Sequence, residues 1–365
     1  MSTQKSFKLE RRLNFGNTHE QASRSGLTRV LTPPDWGSIP QQVGDADALG
    51  YDTLLSAEIP NDPLFPLVLA SQVPSKIALA TGIAVALTRS PVAMAYSAWE
   101  LQRMSGGRFT LGLGSQVKAH ITRRFSMPWS APAERMREYI EVVKACWRTW
   151  QTGEPLGYQG EVYQVNLMPP GMALPPQENP NIPLHLAAVG EHMLAVAGRT
   201  CEGVRLHDFA SRKYVEEVAL PNLRKGFEQS GRPAHEWDAF QLSGGGMIAT
   251  AATEDALQSE IIDLRKRLAF YASTPAYRIQ MDLEGFGEEA EQLASLSKEN
   301  RWNEMLSVFT EEMAHRYAAI GTHDVIVDRI RNHFANIDAV QFSMPLRDKT
   351  DHGVLRELIC DLKSK

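Results

Sequence analysis

Cysteine is scarce in this 365-residue chain. The three, Cys146, Cys201 and Cys360, lie far apart, with no C-x-x-C pair and no Cys/His cluster at zinc spacing. A disulfide framework and a structural zinc site are both excluded, and no metal is expected. Each thiol falls in or at the end of a helix-like segment, where a small buried group is the expected reading. A reducing, cytoplasmic setting fits this usage. Long apolar runs are missing too: no stretch approaches the roughly 18 residues that a membrane span needs. Charge of one sign is not in excess. The 43 acidic and 38 basic residues are interspersed, for a net charge of −5, so neither a nucleic-acid footprint nor a polybasic membrane surface is present. Residues 1–26 carry Lys5, Lys8, Arg11 and Arg12 with no apolar stretch behind them. They do not read as a secretory signal, and with so little core material they are expected to form an arm, flexible or docked on a partner.

What the chain does have is alternation. Short β-branched or apolar runs at Leu27–Leu31, Tyr51–Ala57, Ile77–Ala84, Phe109–Leu113, Ile182–Ala188, Gly203–His207, within Ala239–Ala249, and at Ala339–Met344 alternate with amphipathic stretches. The third run is apolar at nearly every position, as a strand buried on both faces is. Ile39, Val43, Ala46 and Leu49 share one helical face, and Gly50 stands where a left-handed cap is wanted. Met136, Tyr139, Ile140, Val143, Cys146, Trp147 and Trp150 mark a strong helix, with Ser130 as the expected N-cap and Pro132 in the first turn. Eight strands, each followed by a helix, predict a single (β/α)8 barrel over residues 27–365. A doubly wound open sheet fits the same alternation. Two segments interrupt the rhythm: the proline- and glycine-rich 151–182, with a small hairpin at Gly157–Val165, and the helix-forming 253–316. A connection as long as the second must carry its own structure.

In a closed barrel the chemistry gathers where strands end. The second run is followed by Glu58, Asn61 and Asp62. A carboxylate there serves as a general acid or base if desolvated; alternatively Asp62 caps the next helix and Glu58 forms a salt bridge. Gly82 interrupts the third run, where a glycine marks either a kink with close approach or a packing bulge. Gly112, Gly114 and Ser115 follow the fourth. Their G-x-G lacks the third glycine of a dinucleotide fingerprint, since Val117 stands there. Ala188, Val189, Gly190, Glu191 and His192 lead from the fifth run into a helix whose free N–H groups could hold an anion or merely be capped. His207 ends the sixth run and reads first as a hydrogen-bonded structural residue.

Taken together, the segments Ala48–Thr53, Thr81–Pro91, Leu101–Gly114, Leu186–Gly190, Ala197-Gly198, Glu202–Val204 and Ile320–Thr322 resemble, in order and spacing, the luciferase-like monooxygenase superfamily. The stretch Gly114–Trp129 is similar to its F420-dependent oxidoreductase branch. The resemblance implies a bacterial-luciferase-like barrel. It also implies a non-proline cis peptide at Gly82-Ile83 behind the ring of the coenzyme, with Gly112, Gly114 and Ser115 lining that ring. The coenzyme phosphate would sit at Ala188, Val189, Gly190, Glu191 and His192. The implied coenzyme is F420, or alternatively FMN, acting on a small-molecule substrate. A flavin or F420 reductase as partner and a homodimer are further implications. Three functions follow: an F420-dependent oxidoreductase, an FMN-dependent monooxygenase fed by a reductase, or a flavin-binding protein without turnover. This chain departs from related deazaflavin dehydrogenases at two places. An Asp-His pair is replaced by Glu58-Ile59, and a glutamate by Ser115. Glu58, Asn61 and His120 are the residues expected to take over proton handling.

Overall fold

The first barrel strand, β1 (Lys8–Arg12), comes from a segment with almost no apolar character. The computed structural model describes residues 7–14, 19–23, 26–30, 35–59, 61–344 and 349–364. Within them β1 pairs in parallel with the last strand on one side and the second on the other. This corrects two expectations. Residues 8–12 belong to the barrel, not to an arm, and Gly26–Val30 forms an antiparallel hairpin with His19–Ser23 outside it; Leu31 lies outside the described residues. The physical reason is that β1 points charge inward. Glu10 is 1% exposed and Arg12 reaches the same cavity, while Leu9 lies buried on the opposite face. No apolar alternation announces such a strand.

The remaining strands are β2 (Thr53–Ser56), β3 (Ala78–Thr81), β4 (Phe109–Gly114), β5 (Leu184–Ala187), β6 (Gly203–Arg205), β7 (Gln241–Gly244) and β8 (Ala339–Gln341). Every neighbouring pair is parallel, and β5 pairs with β4 through Leu184 opposite Leu111. The sheet is therefore closed and the open alternative is excluded. Gly82 and Ile83 separate β3 from a two-residue continuation, Ala84–Val85. Past Gly244 the left-handed Gly245 and Gly246 (φ 72° and 118°) end β7. The expected seventh strand is thus split in two. Its second half, Ile248–Ala251, leaves the barrel and pairs with Ala319–Thr322.

Helices α1 (Ile39–Leu49), α2 (Leu64–Ser71), α3 (Pro91–Met104), α4 (Pro132–Thr152), α5 (Glu191–Thr200) and α6 (Leu220–Gln229) wrap the sheet. In α1 the four expected residues are buried and Gly50 caps the helix at φ 90°. The N-cap of α4 is Ala131, at φ 33° and without a side-chain bond, so Ser130 does not take that place. The α4 tryptophans are spent on the core: Trp150 stacks on Tyr96 at 4.7 Å, and Trp147 donates to the Ala95 carbonyl. Cys146 and Cys201 are buried, whereas Cys360 is exposed, contrary to expectation, because it falls on the outer side of the closing helix Lys349–Lys363. None of the described helices is long and apolar enough to cross a membrane.

Both insertions are tied down. The buried Glu138 on α4 accepts from the backbone N–H groups of Glu161, Val162 and Tyr163 and so holds the small hairpin against α4. Burial works against its charge, but those three donors and Arg137 outweigh it and depress its pKa. The helices of residues 254–317 surround a second apolar core of their own, including Leu264, Leu268, Met281, Leu293, Phe309 and Tyr317.

Where α5 meets α6 the helices touch backbone to backbone. A Cβ on Gly226 would lie 2.0 Å from the Ala195 carbonyl oxygen, and one on Gly198 2.0 Å from that of Leu223. Gly226→Ala must push α6 off α5, and overpacking of this kind costs about 1–3 kcal/mol. Thermal denaturation should show a correspondingly lower midpoint; an unchanged midpoint would mean that the helices separate freely.

Candidate active site

A cavity of about 740 Å³ opens at the carboxyl ends of the strands, where barrels keep their chemistry. One wall is nearly free of side chains. Gly82, Ile83 and Gly114 line it, and the Gly82–Ile83 peptide bond is cis. A Cβ on Gly114 would come within 2.8 Å of Ile83 Cδ1, so the glycine permits the close approach of β4 to this bulge. Gly112 does not line the cavity. It is packed in the barrel wall, exchanging bonds of 2.7 and 2.8 Å with Thr81 Oγ1.

Glu58 lines the cavity but is fully engaged. Its carboxylate receives Arg89 Nη1 at 2.7 Å and the Val85 N–H at 2.7 Å, and its own N–H donates to the Ile83 carbonyl at 3.1 Å. Glu58 thereby holds the chain just past the Gly82–Ile83 bond, from Ile83 to Val85, while the Gly82 N–H is held by the Ser56 carbonyl at 2.7 Å. Arg89 also binds Asp62 at 2.8 Å. Burial disfavours the guanidinium charge, yet the two carboxylates outweigh it and raise its pKa. Asp62 additionally accepts the Leu64 N–H at 2.8 Å, near the start of α2. Asn61 is half-buried, His120 is exposed, and neither lines the cavity.

On the next wall Ala188, Val189 and Gly190 enter α5. Gly190 is its N-cap, without a side-chain cap bond, and a Cβ there would meet nothing within 4 Å. The Val189 carbonyl is held by the Tyr214 hydroxyl. The backbone N–H groups of this first turn thus face a roomy, anion-favouring place. Glu191 and His192 are exposed and lie outside the lining. Ser115, Gln116, Lys118 and Trp129 complete this side.

The floor and far wall hold residues that sequence reasoning missed. Arg205 on β6 reaches across the barrel to Glu10 on β1 in a two-pronged pair at 2.8 and 3.0 Å. His207, Asp208, Tyr271 and Tyr277 stand above it. The His207 ring lies 4.6 Å from that of Tyr271 and 4.3 Å from that of Tyr277, and its Nδ1 accepts the Phe209 N–H at 3.1 Å. Burial first, and then Arg12, depress its pKa to about 4. Asp208 is shifted the other way: burial raises its pKa although Arg12, Arg205 and Arg267 oppose this. Glu10 and Arg12 were missed because residues 1–26 lack apolar periodicity. Tyr271 and Tyr277 sit in an insertion whose position over the mouth no local pattern reveals. His207 was singled out, and its immediate neighbour Asp208 was not.

A closed parallel barrel whose cavity opens at the carboxyl ends of the strands, with a glycine-lined wall and an open helix start, defines the class as a (β/α)8 barrel with its site at the mouth. The family model described as Luciferase-like monooxygenase matches residues 15–339. An uncharacterized protein of Mycobacterium tuberculosis is 40% identical over 303 residues, which cover 81% of this chain and 88% of that protein. A 5,10-methylenetetrahydromethanopterin reductase of Methanopyrus kandleri is 26% identical over 279 residues, covering 72% and 75%. Among solved structures, the coenzyme F420-dependent tetrahydromethanopterin reductase of Methanopyrus kandleri superposes with a TM-score of 0.73 at 22% identity, covering 99% of this chain and 98% of that one. The FMN-bound oxygenating constituent of a Pseudomonas putida 3,6-diketocamphane monooxygenase gives 0.67 at 12%, covering 98% of each. The chain belongs to the luciferase-like monooxygenase family, and it is an oxidoreductase of that family.

Two outcomes follow from the charges. Glu10→Gln leaves Arg205 buried beside a neutral partner, and breaking a buried pair in this way costs about 3–5 kcal/mol, readable as a lower midpoint in urea. The second concerns acid. An unfolded histidine gains its proton below about 6.5, whereas His207 and His333 stay neutral to about 4 and His185 to about 3. Between these values the unfolded state binds more protons, so stability falls as pH drops from 6.5 toward 4, by at most about 1.4 kcal/mol per pH unit for each group. His207→Gln should flatten that slope; an unaltered slope would show that His207 titrates normally in the fold.

Proposed function

We propose that this protein is an F420-dependent oxidoreductase acting on a small organic substrate. The observation that carries the reading is the pairing of a glycine-lined wall at Gly82, Ile83 and Gly114 with the uncapped start of α5 at Gly190. A planar coenzyme with an anionic tail needs both. The fit is specific at two points: a Cβ on Gly114 would close the wall against Ile83, and Gly190 faces open space. Sequence relatives point to the same coenzyme. Beside the reductase, a protein of Mycobacterium tuberculosis named as a putative coenzyme F420-dependent oxidoreductase is 24% identical over 346 residues.

Gly82, Ile83, Gly114 and Ser115 would hold the ring, and Ala188, Val189 and Gly190 the phosphate. When bound, the deazaflavin supplies hydride chemistry. The chain does the rest. Glu58 and Arg89 keep the bulge in position, Val189 and Gly190 orient backbone donors, and Tyr271 and Tyr277 cover the far side and exclude water. Since Glu58 is held by Arg89 and Val85, its part is positioning the bulge rather than moving protons. FMN fits the same wall, and with it the activity becomes that of a monooxygenase supplied by a reductase.

Titration with oxidised F420 and with FMN, followed by quenching of tryptophan fluorescence, separates the readings, because Trp129 lines the cavity. Binding of F420 at least tenfold tighter, about 1.4 kcal/mol, is expected. A preference for FMN overturns the F420 assignment, and binding of neither overturns the coenzyme altogether. Gly114→Val, which fills the wall, should weaken binding of the preferred coenzyme at least tenfold while the far-ultraviolet circular dichroism stays that of the wild type.

A further inference from the structure

Three carboxylates line the cavity among the described residues: Glu10, Glu58 and Asp208. Two are committed. Glu10 is locked by both guanidinium nitrogens of Arg205. Glu58 is locked by Arg89 and by the Val85 N–H. Neither can release or take a proton without breaking a buried ion pair. Among the described residues Asp208 has no ion pair or hydrogen bond of that kind, and Arg12, Arg205 and Arg267 act on it through charge alone. It follows β6 directly and faces the cavity beside His207, Tyr271 and Tyr277.

We propose that Asp208 is the proton-carrying group of the substrate half of the cavity, and that the substrate class is a small molecule with a polar double bond, a carbonyl or an imine. The proposal rests on the preceding reading, which supplies the reductant, a reduced deazaflavin. Adding hydride to the carbon of C=O or C=N breaks the π bond and leaves its electron pair on oxygen or nitrogen. That atom takes the proton of the Asp208 O–H, and the resulting carboxylate regains a proton from solvent. In the oxidative direction Asp208 first loses its proton to solvent, and the carboxylate then accepts the proton of the substrate O–H or N–H.

The surroundings suit the role. His207, the neighbouring residue, is kept neutral by burial and by Arg12, so it does not pin Asp208 as a carboxylate. Tyr277 interacts electrostatically with Asp208, and burial keeps its phenol protonated. Arg12, Arg205 and Arg267 are the cations that act on Asp208, and the strongest geometric link of Arg205 is to Glu10. Burial dominates this balance and favours the neutral acid. A neutral carboxyl can donate to a carbonyl oxygen, which an ionised one cannot.

Infrared spectroscopy of the protein alone, scanned over pH and compared with Asp208→Asn, tests the ionisation. A protonated-carboxyl stretch that persists above pH 6, well past the ordinary aspartate value of about 3.9, and that disappears in Asp208→Asn is expected. Loss of that band by pH 5 in the wild type, or its persistence in the variant, overturns the proposal. A second measurement asks whether Asp208 faces the coenzyme. Addition of oxidised F420 should shift the band, while Asp208→Asn binds F420 within threefold of wild type by tryptophan quenching. An unshifted band with F420 bound removes Asp208 from the reacting face. Should the wild type fail to bind F420, the coenzyme reading fails and the proton-delivery proposal falls with it. The pH scan of the free protein tells that case apart from an ionised Asp208.

Discussion

Everything at the mouth of this barrel stands on one buried ion pair, Glu10 with Arg205. It joins β6 to β1 across the barrel interior, with β7 and β8 between them in the sheet. Two opposite charges placed inside a barrel cost desolvation that only close, two-pronged contact offsets. The pair therefore dictates much around it. It makes the first strand polar and gives the cavity a floor that is charged yet neutral in sum. It also ties up Arg205, so that Asp208, three residues further on, feels Arg205 only as one of three cations with Arg12 and Arg267.

The second constraint is the use of charge to set backbone. Glu58 takes hold of the polypeptide just past the Gly82–Ile83 bulge, at Ile83 and Val85, and is itself fixed by Arg89, which Asp62 also grips. The acids that follow the second strand are thus structural parts of the mouth. The Glu58 carboxylate is long enough to reach both Val85 and Arg89, and so anchors the bulge.

The architecture was legible in the sequence wherever one face of an element met an apolar neighbour. The runs beginning near Tyr51, Ile77, Phe109, Ile182 and Gly203 became strands, and Ile39, Val43, Ala46 and Leu49 became the buried face of α1. It failed where tertiary contacts replace periodicity. Lys8–Arg12 is a strand because partners on both sides pair with it and Arg205 answers Glu10. Leu27 looked like a strand in the barrel and lies in a hairpin outside it. At the site, Gly82, Ile83, Gly114, Ser115, Ala188, Val189 and Gly190 could be named from strand ends, and the cavity gathers them. Asn61, His120, Glu191 and His192 had the right chemistry and the right stretch of chain, but their side chains lie outside the lining. The tyrosines of the far wall arrive from a helical insertion, and no local signal says where an insertion folds back.

That insertion has a hydrophobic core of its own, flanked by the parallel pair Ile248–Ala251 and Ala319–Thr322, and it meets the barrel at the end of β6, where Phe209 stacks on Tyr317 at 4.3 Å and His207 packs on Tyr271 and Tyr277. These contacts fall beside β6, whereas the glycine wall is carried by β3 and β4. Tyr271 and Tyr277, which face whatever occupies the outer half of the cavity, ride on this semi-autonomous module. Evolution can therefore reshape the outer half of the cavity while the glycine wall stays as it is, and the two halves of the pocket need not share a rate of change.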